Sequence, residues 1–244
     1  MNNFSEIFNQ IVDKRRSYRL FDKTVELPES VVQKSLERAI KSPNSSNMQL
    51  WEFYRIRSKK PLQKAAEICL NQSGAKTASE IVVFVARPDL WKKRQQVHLK
   101  RIQNSPTKNV KNKLFDSSEL EYYKKIIPIF YDSSFGFFRD LYKRIFIWIK
   151  SRKAPFMQDI YSKHIAVVAQ KSTALAAQTF MLSITAEGYE SLPMEGLDSK
   201  RMKKLLNLPK TAEINMAIAV GKGKPEGVRG ERFRVAYEDV VFVV

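Results

Sequence analysis

The chain has 244 residues, 43% of them apolar, which excludes a disordered chain and suits one large domain or two small ones. A single cysteine, Cys69, excludes an intrachain disulfide and a cysteine-rich zinc site. The formal net charge of +18 predicts an anionic partner: nucleic acid, an anionic membrane surface or a phosphorylated small molecule.

In chain order, FSEIFNQIV carries Phe4, Ile7, Phe8, Ile11 and Val12 at the spacing of an amphipathic helix. The N-terminus has no basic segment followed by an apolar one, so no secretory signal is expected and a cytoplasmic location is. The basic cluster KRRSYR follows. PESVVQKSLERAIKS predicts a second helix that opens at Pro28 and stops before Pro43, because proline disfavours helical geometry at Ser42. LWEFYRIR (50–57) reads as a strand and LQKAAEICLNQ, from 62, as a helix. IVVFVA (81–86) is a short continuous apolar run, as in a strand buried on both faces.

Composition changes between about 90 and 155. A basic helix (WKKRQQVHLKRIQ) precedes a polar stretch (NSPTKNVKNK) and an aromatic-rich segment that ends in FFRDLYKRIFIWIKSRK. From about 160 to 187 a long, largely apolar pattern predicts a buried central helix, closed by Gly188. Its Gln, Lys, Ser and Thr residues argue against a membrane span. Asp198 caps a further helix to about Asn207, INMAIAV (214–220) is a second buried strand, and the final VVFVV is a terminal strand candidate. Helices alternating with few strands predict an α+β or α/β sandwich with a mixed sheet. It is taken as one domain, 1–244, with a lid or insertion at about 90–155.

Three polar clusters carry chemistry. Arg15, Arg16, Ser17 and Arg19 offer planar guanidinium forks and a hydroxyl that suit phosphate oxygens. SPNSSNMQ (42–49) offers amides that donate and accept at once, as a pyrimidine-dione ring requires, although the same residues are normal in turns. Arg232 and Arg234 lie two apart, on one face of an extended chain, and can converge on one phosphate. The isolated His98 and His164 have no metal-site spacing. GKGKPEG (221–227) lacks the ending of a phosphate loop and reads as a turn, and Cys69 reads as an inert core thiol.

Four segments together resemble the nitroreductase-like family of FMN-dependent oxidoreductases: RRSYR after the first helix, SPNSSNMQLWEF entering a strand, LPMEG after the central helix, and the C-terminal arginine pair after GKGKPEG. The second departs from the family pattern at Asn44, where serine is usual, and at Leu50, where proline is usual; Asn47, Gln49 and Trp51 are kept. The resemblance covers about 1–88 and 160–244 and implies an α+β sandwich whose mixed sheet is mainly antiparallel. It implies that Arg15, Arg16, Ser17 and Arg19 hold the phosphate, ribityl chain and pyrimidine side of FMN, with Arg232 and Arg234 clamping the phosphate. Pro43, Asn44, Ser45 and Asn47, with Gln49, would come from the second subunit of a homodimer. Asn71 would bond the ring edge, and Pro193, Met194, Glu195 and Gly196 would pass the ring near its reactive N5. Gly74 stands where relatives often carry a basic residue.

The implied activity is ping-pong hydride transfer from NAD(P)H through flavin N5 to an electron-poor small-molecule acceptor such as a nitroaromatic, quinone or enone. A reductive dehalogenase on the same fold is the alternative. A nucleic-acid-binding protein would explain the charge, but no reading module is present and no nucleic-acid partner is expected. The segment 137–153 mixes Phe, Ile and Trp with Arg and Lys. It suits a lid or dimer surface, and it also suits peripheral contact with an anionic membrane, which would be the inner membrane face.

Overall fold

The structure is a computed structural model describing residues 3–104, 118–132, 137–152, 154–158 and 161–244. Most of the polar stretch after the basic helix and part of the aromatic segment lie outside the described residues. Chain order is α1 (Phe4–Lys14), β1 (Phe21–Asp22), α2 (Glu29–Ala39), β2 (Trp51–Ile56), α3 (Lys59–Ile68), α4 (Ser73–Thr77) and β3 (Glu80–Ala86). After α5 (Trp91–Asn104) come a π-helical turn (Tyr122–Ile126), α6 (Ile127–Tyr131), α7 (Phe137–Ser151), α8 (Ser162–Ala186), β4 (Glu190–Met194), α9 (Ser199–Leu205) and β5 (Glu213–Gly223).

β3 is buried throughout: the apolar run 81–86 as its sequence demands, and Glu80 through its pairing with Arg55; it sits between β2 and β5. β5 also pairs with β4 and β1. Among the described residues every ladder is antiparallel, and the one parallel pairing is an isolated bridge, Ser17 to Ser191. One face of β3 packs Val82 and Phe84 against Ala176, Phe180 and Ile184 of α8 and Val32 of α2. The other packs Ile81, Val83 and Val85 against Ile68 of α3 and Met202 of α9. Cys69 is buried here, and burial pushes its thiol pKa up to about 11, which suits an unreactive core residue. A third apolar cluster joins Met48 and Leu50 to Trp91, Tyr123, Ile127, Tyr131 and Ile165. It ties the insertion to the sheet end where β2 begins.

One sequence expectation changes, and β4 and α4 are additions to the elements read from the sequence. SLPM is a strand despite Pro193; β4 lies at the sheet margin, paired with β5 alone, where a missing N–H is tolerated. The terminal VVFVV is not a strand. Val240, Phe242, Val243 and Val244 are exposed and the segment joins no ladder. α4 stands between Asn71 and β3.

Candidate functional site

Backbone routing builds a cationic pocket at the end of β5. Tyr18 N–H donates to the Ser191 carbonyl (3.1 Å), Arg19 N–H to Gly227 (2.8 Å) and Lys224 N–H to Leu20 (2.9 Å). The segment after α1 is thereby held between β4 and the turn after β5. Glycine is needed at 227: a Cβ there would lie 2.7 Å from Leu20 N. GKGKPEG is thus the end of β5 plus a turn, as expected, and its job is close backbone approach.

Arg232 closes the assembly. Its Nη2 donates to the carbonyls of Val12, Asp13 and Arg15 at 3.1, 2.7 and 2.8 Å, across more than 200 residues of sequence. Arg16 Nη2 likewise donates to Gly230 (2.8 Å). The result is a cavity of about 170 Å³ lined by Arg15, Arg16, Ser17, Arg19, Arg229, Glu231, Arg232, Phe233 and Arg234. Six arginines thus face one carboxylate. Burial first, then the charges of Arg232, Arg234 and Arg16, lowers the Arg15 pKa. Like charges held this close destabilise the pocket until an anion enters, so its chemistry is anion binding.

The sequence analysis brought Arg15, Arg16, Ser17, Arg19, Arg232 and Arg234 to this point and missed Arg229. The only signal for Arg229 was its position shortly after the glycine turn. Both members of the expected arginine pair line the pocket, and Arg232 in addition clasps the end of α1 through its Nη2. Beside the pocket, Gly74 lies so close to Leu192 that a Cβ would meet its side chain at 2.4 Å. A larger residue at 74 would displace Leu192. Gln72 Nε2 donates to the Gly196 carbonyl (2.9 Å), which pins the segment after β4. Met194 is buried, whereas Asn71, Glu195 and Gly196 are exposed and Pro193 half-buried.

The Pro43–Gln49 loop lies elsewhere. It leads into β2 at Trp51, which pairs with Ala86, which pairs with Glu213. The arginine pocket adjoins Ser191, which pairs with Val220. Seven residues of β5 separate the two ends, about 20 Å at the usual strand rise. The loop is backbone-strained: Ser46, Asn47 and Gln49 have φ of 52°, 49° and 50°. Left-handed geometry costs about 1–2 kcal/mol per non-glycine residue, less for Asn, and needs external support.

Polar side chains supply that support. Asn44 Oδ1 accepts from Gln49 N–H (2.8 Å) and its Nδ2 donates to the Ser42 carbonyl (3.3 Å). Asn44 therefore folds the loop, where the sequence had suggested ligand recognition. Gln49 Nε2 donates to Asn47 Oδ1 (3.3 Å). Tyr123 Oη donates to the Ser46 carbonyl (2.9 Å), and the Ser46 and Tyr122 hydroxyls lie 2.6 Å apart. Leu50, the other departure, is buried in the third cluster. Pro43, Ser45 and Asn47 remain exposed and present the loop's outer edge. Behind it, Ser45, Ser46, Tyr122, Phe130, Tyr131, Met157, His164, Ile165 and Val168 enclose about 160 Å³.

His98 is the loop's titratable support. Its Nε2 lies 2.8 Å from the Asn47 carbonyl, an acceptor, so Nε2 carries the proton. Nδ1 is buried without a hydrogen-bond partner, and the ring stacks on Tyr123 at 4.3 Å. Burial above all lowers the His98 pKa. The unfolded chain therefore takes up a proton that the folded one resists. This contribution to stability is complete above about pH 6.5 and is lost as pH falls below it. We expect His98→Gln, which can still donate to Asn47, to flatten the fall in melting temperature between pH 7 and 5. An identical slope in the two proteins would refute the assignment.

A helix-walled antiparallel sheet with an arginine-lined anion pocket at one end and a strained polar loop at the other defines an α+β protein built to hold an anionic ligand. The chain belongs to the nitroreductase family, whose model matches residues 12–222. Protein DrgA of Synechocystis is 28% identical over 232 residues, covering 95% of this chain and 89% of its own. Among solved structures, YdfN of Bacillus subtilis superposes with a TM-score of 0.74 at 18% identity, over 98% of this chain and 100% of its own. A structure from Exiguobacterium sibiricum solved in complex with FMN has a TM-score of 0.69 at 19% identity, over 97% of each chain. Both likenesses concern the fold. The nitroreductase-like α+β fold expected from the four motifs is therefore the fold present.

Proposed function

We propose that the chain is an FMN-dependent oxidoreductase that takes reducing equivalents from NAD(P)H and delivers them to an electron-poor small molecule. The observation that carries this is the pocket of six arginines, assembled from both ends of the chain. An anionic phosphate fits it, because it relieves the mutual repulsion of the arginines, which after burial lowers the Arg15 pKa. The family membership and the FMN-bound structure of the same fold support the choice of anion. FMN, when bound, supplies hydride transfer between a nicotinamide and an acceptor.

The protein's own work is binding and orientation. Arg15, Arg19, Arg229 and Arg234 hold the phosphate while Arg232 fastens the C-terminal segment to α1. Ser17 sits beside Ser191 at the pocket edge, and the segment Pro193–Gly196, pinned by Gln72, leads away from it toward the ring position. Asn71 is exposed next to Gln72, where it can reach a ring edge.

A second copy completes the site. One chain keeps its Pro43–Gln49 loop about 20 Å from its own arginines, so the exposed Pro43, Ser45 and Asn47 serve the partner's flavin. Phe4, Ile7 and Phe8 of α1 and Phe233 and Phe242 of the tail are exposed, and the same homodimer would cover them. The acceptor ring enters the uncharged cavity behind the loop, whose hydroxyls suit a carbonyl or nitro oxygen.

The purified protein should be yellow, should release FMN on denaturation, and should bleach anaerobically with NADH or NADPH. Colourless protein that FMN cannot reconstitute would overturn the assignment.

A further inference from the structure

Helix α7 is turned inside out. Lys143 and Ile147 are buried, and Lys143 Nζ donates to the Phe130 carbonyl at 3.3 Å. The opposite face exposes Leu141, Tyr142, Ile145, Trp148 and Ile149, each between 44% and 56%. Positions 141, 145, 148 and 149 follow the spacing of one helical stripe. A helix on a globular protein normally puts such a stripe on the core and its lysines in water. Here the apolar stripe is outermost, so α7 does not close on its own core through that face.

Exposed cations flank the stripe, with Asp140 one turn before Arg144. Arg144 and Arg152 are exposed beside it, and the Arg152 guanidinium lies 3.7 Å over the Trp148 ring. No helix among the described residues is long and apolar enough to cross a membrane. We propose that this face of α7 docks the protein on an anionic lipid surface, lying in the interface plane. The stripe enters the acyl boundary, and Trp148 sits at headgroup level with Arg152 beside it. Arg144 and Arg152 meet lipid phosphates. Charge decides for lipid over a second copy. Two such faces would bring arginines against arginines in a chain already carrying +18, whereas anionic headgroups complement both. The proposal stands apart from the flavin assignment, since α7 supplies no residue to the arginine pocket.

The test uses the full chain with whatever cofactor it retains, phosphatidylcholine vesicles, and vesicles of phosphatidylcholine with phosphatidylglycerol. Trp51 and Trp91 are only 5% and 8% exposed, so a change in tryptophan emission reports Trp148. Co-sedimentation with the anionic vesicles and a blue shift of emission are expected. The double variant Ile145→Ser, Trp148→Ser keeps every lysine and arginine and should bind the same vesicles at least ~10-fold more weakly. Trp148→Phe should lose the blue shift and keep the binding. Wild-type affinity in the double variant would show attraction by net charge alone and sink the proposal. So would absence of vesicle binding, or a dimer or larger assembly that the double variant dissolves.

Discussion

Replacing Arg15 and Arg19 together with alanine is expected to weaken FMN binding by a hundredfold or more, since each charge-assisted bond to a phosphate contributes about 1.5–3 kcal/mol. The cofactor-free protein should behave oppositely. Arg15 is held against Arg232, Arg234 and Arg16, so removing it relieves repulsion and should leave the apo melting temperature unchanged or raised. The holo protein should lose the increment that FMN binding confers. Flavin titration by fluorescence quenching and two melting curves per protein check both arms. Equal FMN affinity in variant and parent would remove these arginines from the site. A large fall in apo stability would mean that they hold the fold. Arg232→Ala separates the two roles: its loss should free the tail from α1 and lower apo stability as well as flavin content, because it leaves three carbonyls without their shared donor.

Phe84→Ala is expected to cost about 3–5 kcal/mol, on the order of 10 °C in melting temperature for a chain of this size. Phe84 is fully buried in the middle of β3. Its ring lies 4.6 Å from Phe53 of β2 and 5.3 Å from Phe180 of α8. Truncation opens a cavity between the sheet and the central helix that rigid strands on both sides cannot collapse. Phe84→Leu should recover most of the loss. Chemical denaturation measures it; a change below about 1 kcal/mol would show that this layer repacks freely.

Local pattern made much of the architecture legible. The continuous apolar run 81–86 of β3 needs no partner to announce itself, and Gly188 at φ 83° closes α8 as its sequence position indicated. β4 was missed because a five-residue strand containing proline has little periodicity; its identity comes from the opposing residues of β5. The terminal VVFVV failed for the converse reason. It has the composition of a strand, but no described edge receives it, and composition alone makes no ladder.

The candidate site divides along the same line. The LPMEG segment came from the family resemblance; residue chemistry identified five of the six arginines and the amide-rich loop, because guanidinium and carboxamide groups declare their hydrogen bonds by type. It could not assign their jobs. Asn44 bonds within its own loop, and Arg232, which lines the pocket, also clasps α1; neither bond is announced by residue type. The face of α7 was equally hidden: its mixture of aromatic and basic residues suited a lid, a dimer surface or a membrane, and only packing shows Lys143 inward and Trp148 outward.

By itself, then, the sequence determined β2, β3, β5, the central helix, the charge and the kinds of group available, since each depends on neighbours within a few residues. The tertiary structure decided which of those groups meet. Arg15 joins Arg234 because Tyr18 bonds to Ser191, Ser191 pairs with Val220, and Gly227 lets Leu20 approach. Those contacts link residues tens to hundreds of positions apart, and no local periodicity encodes them.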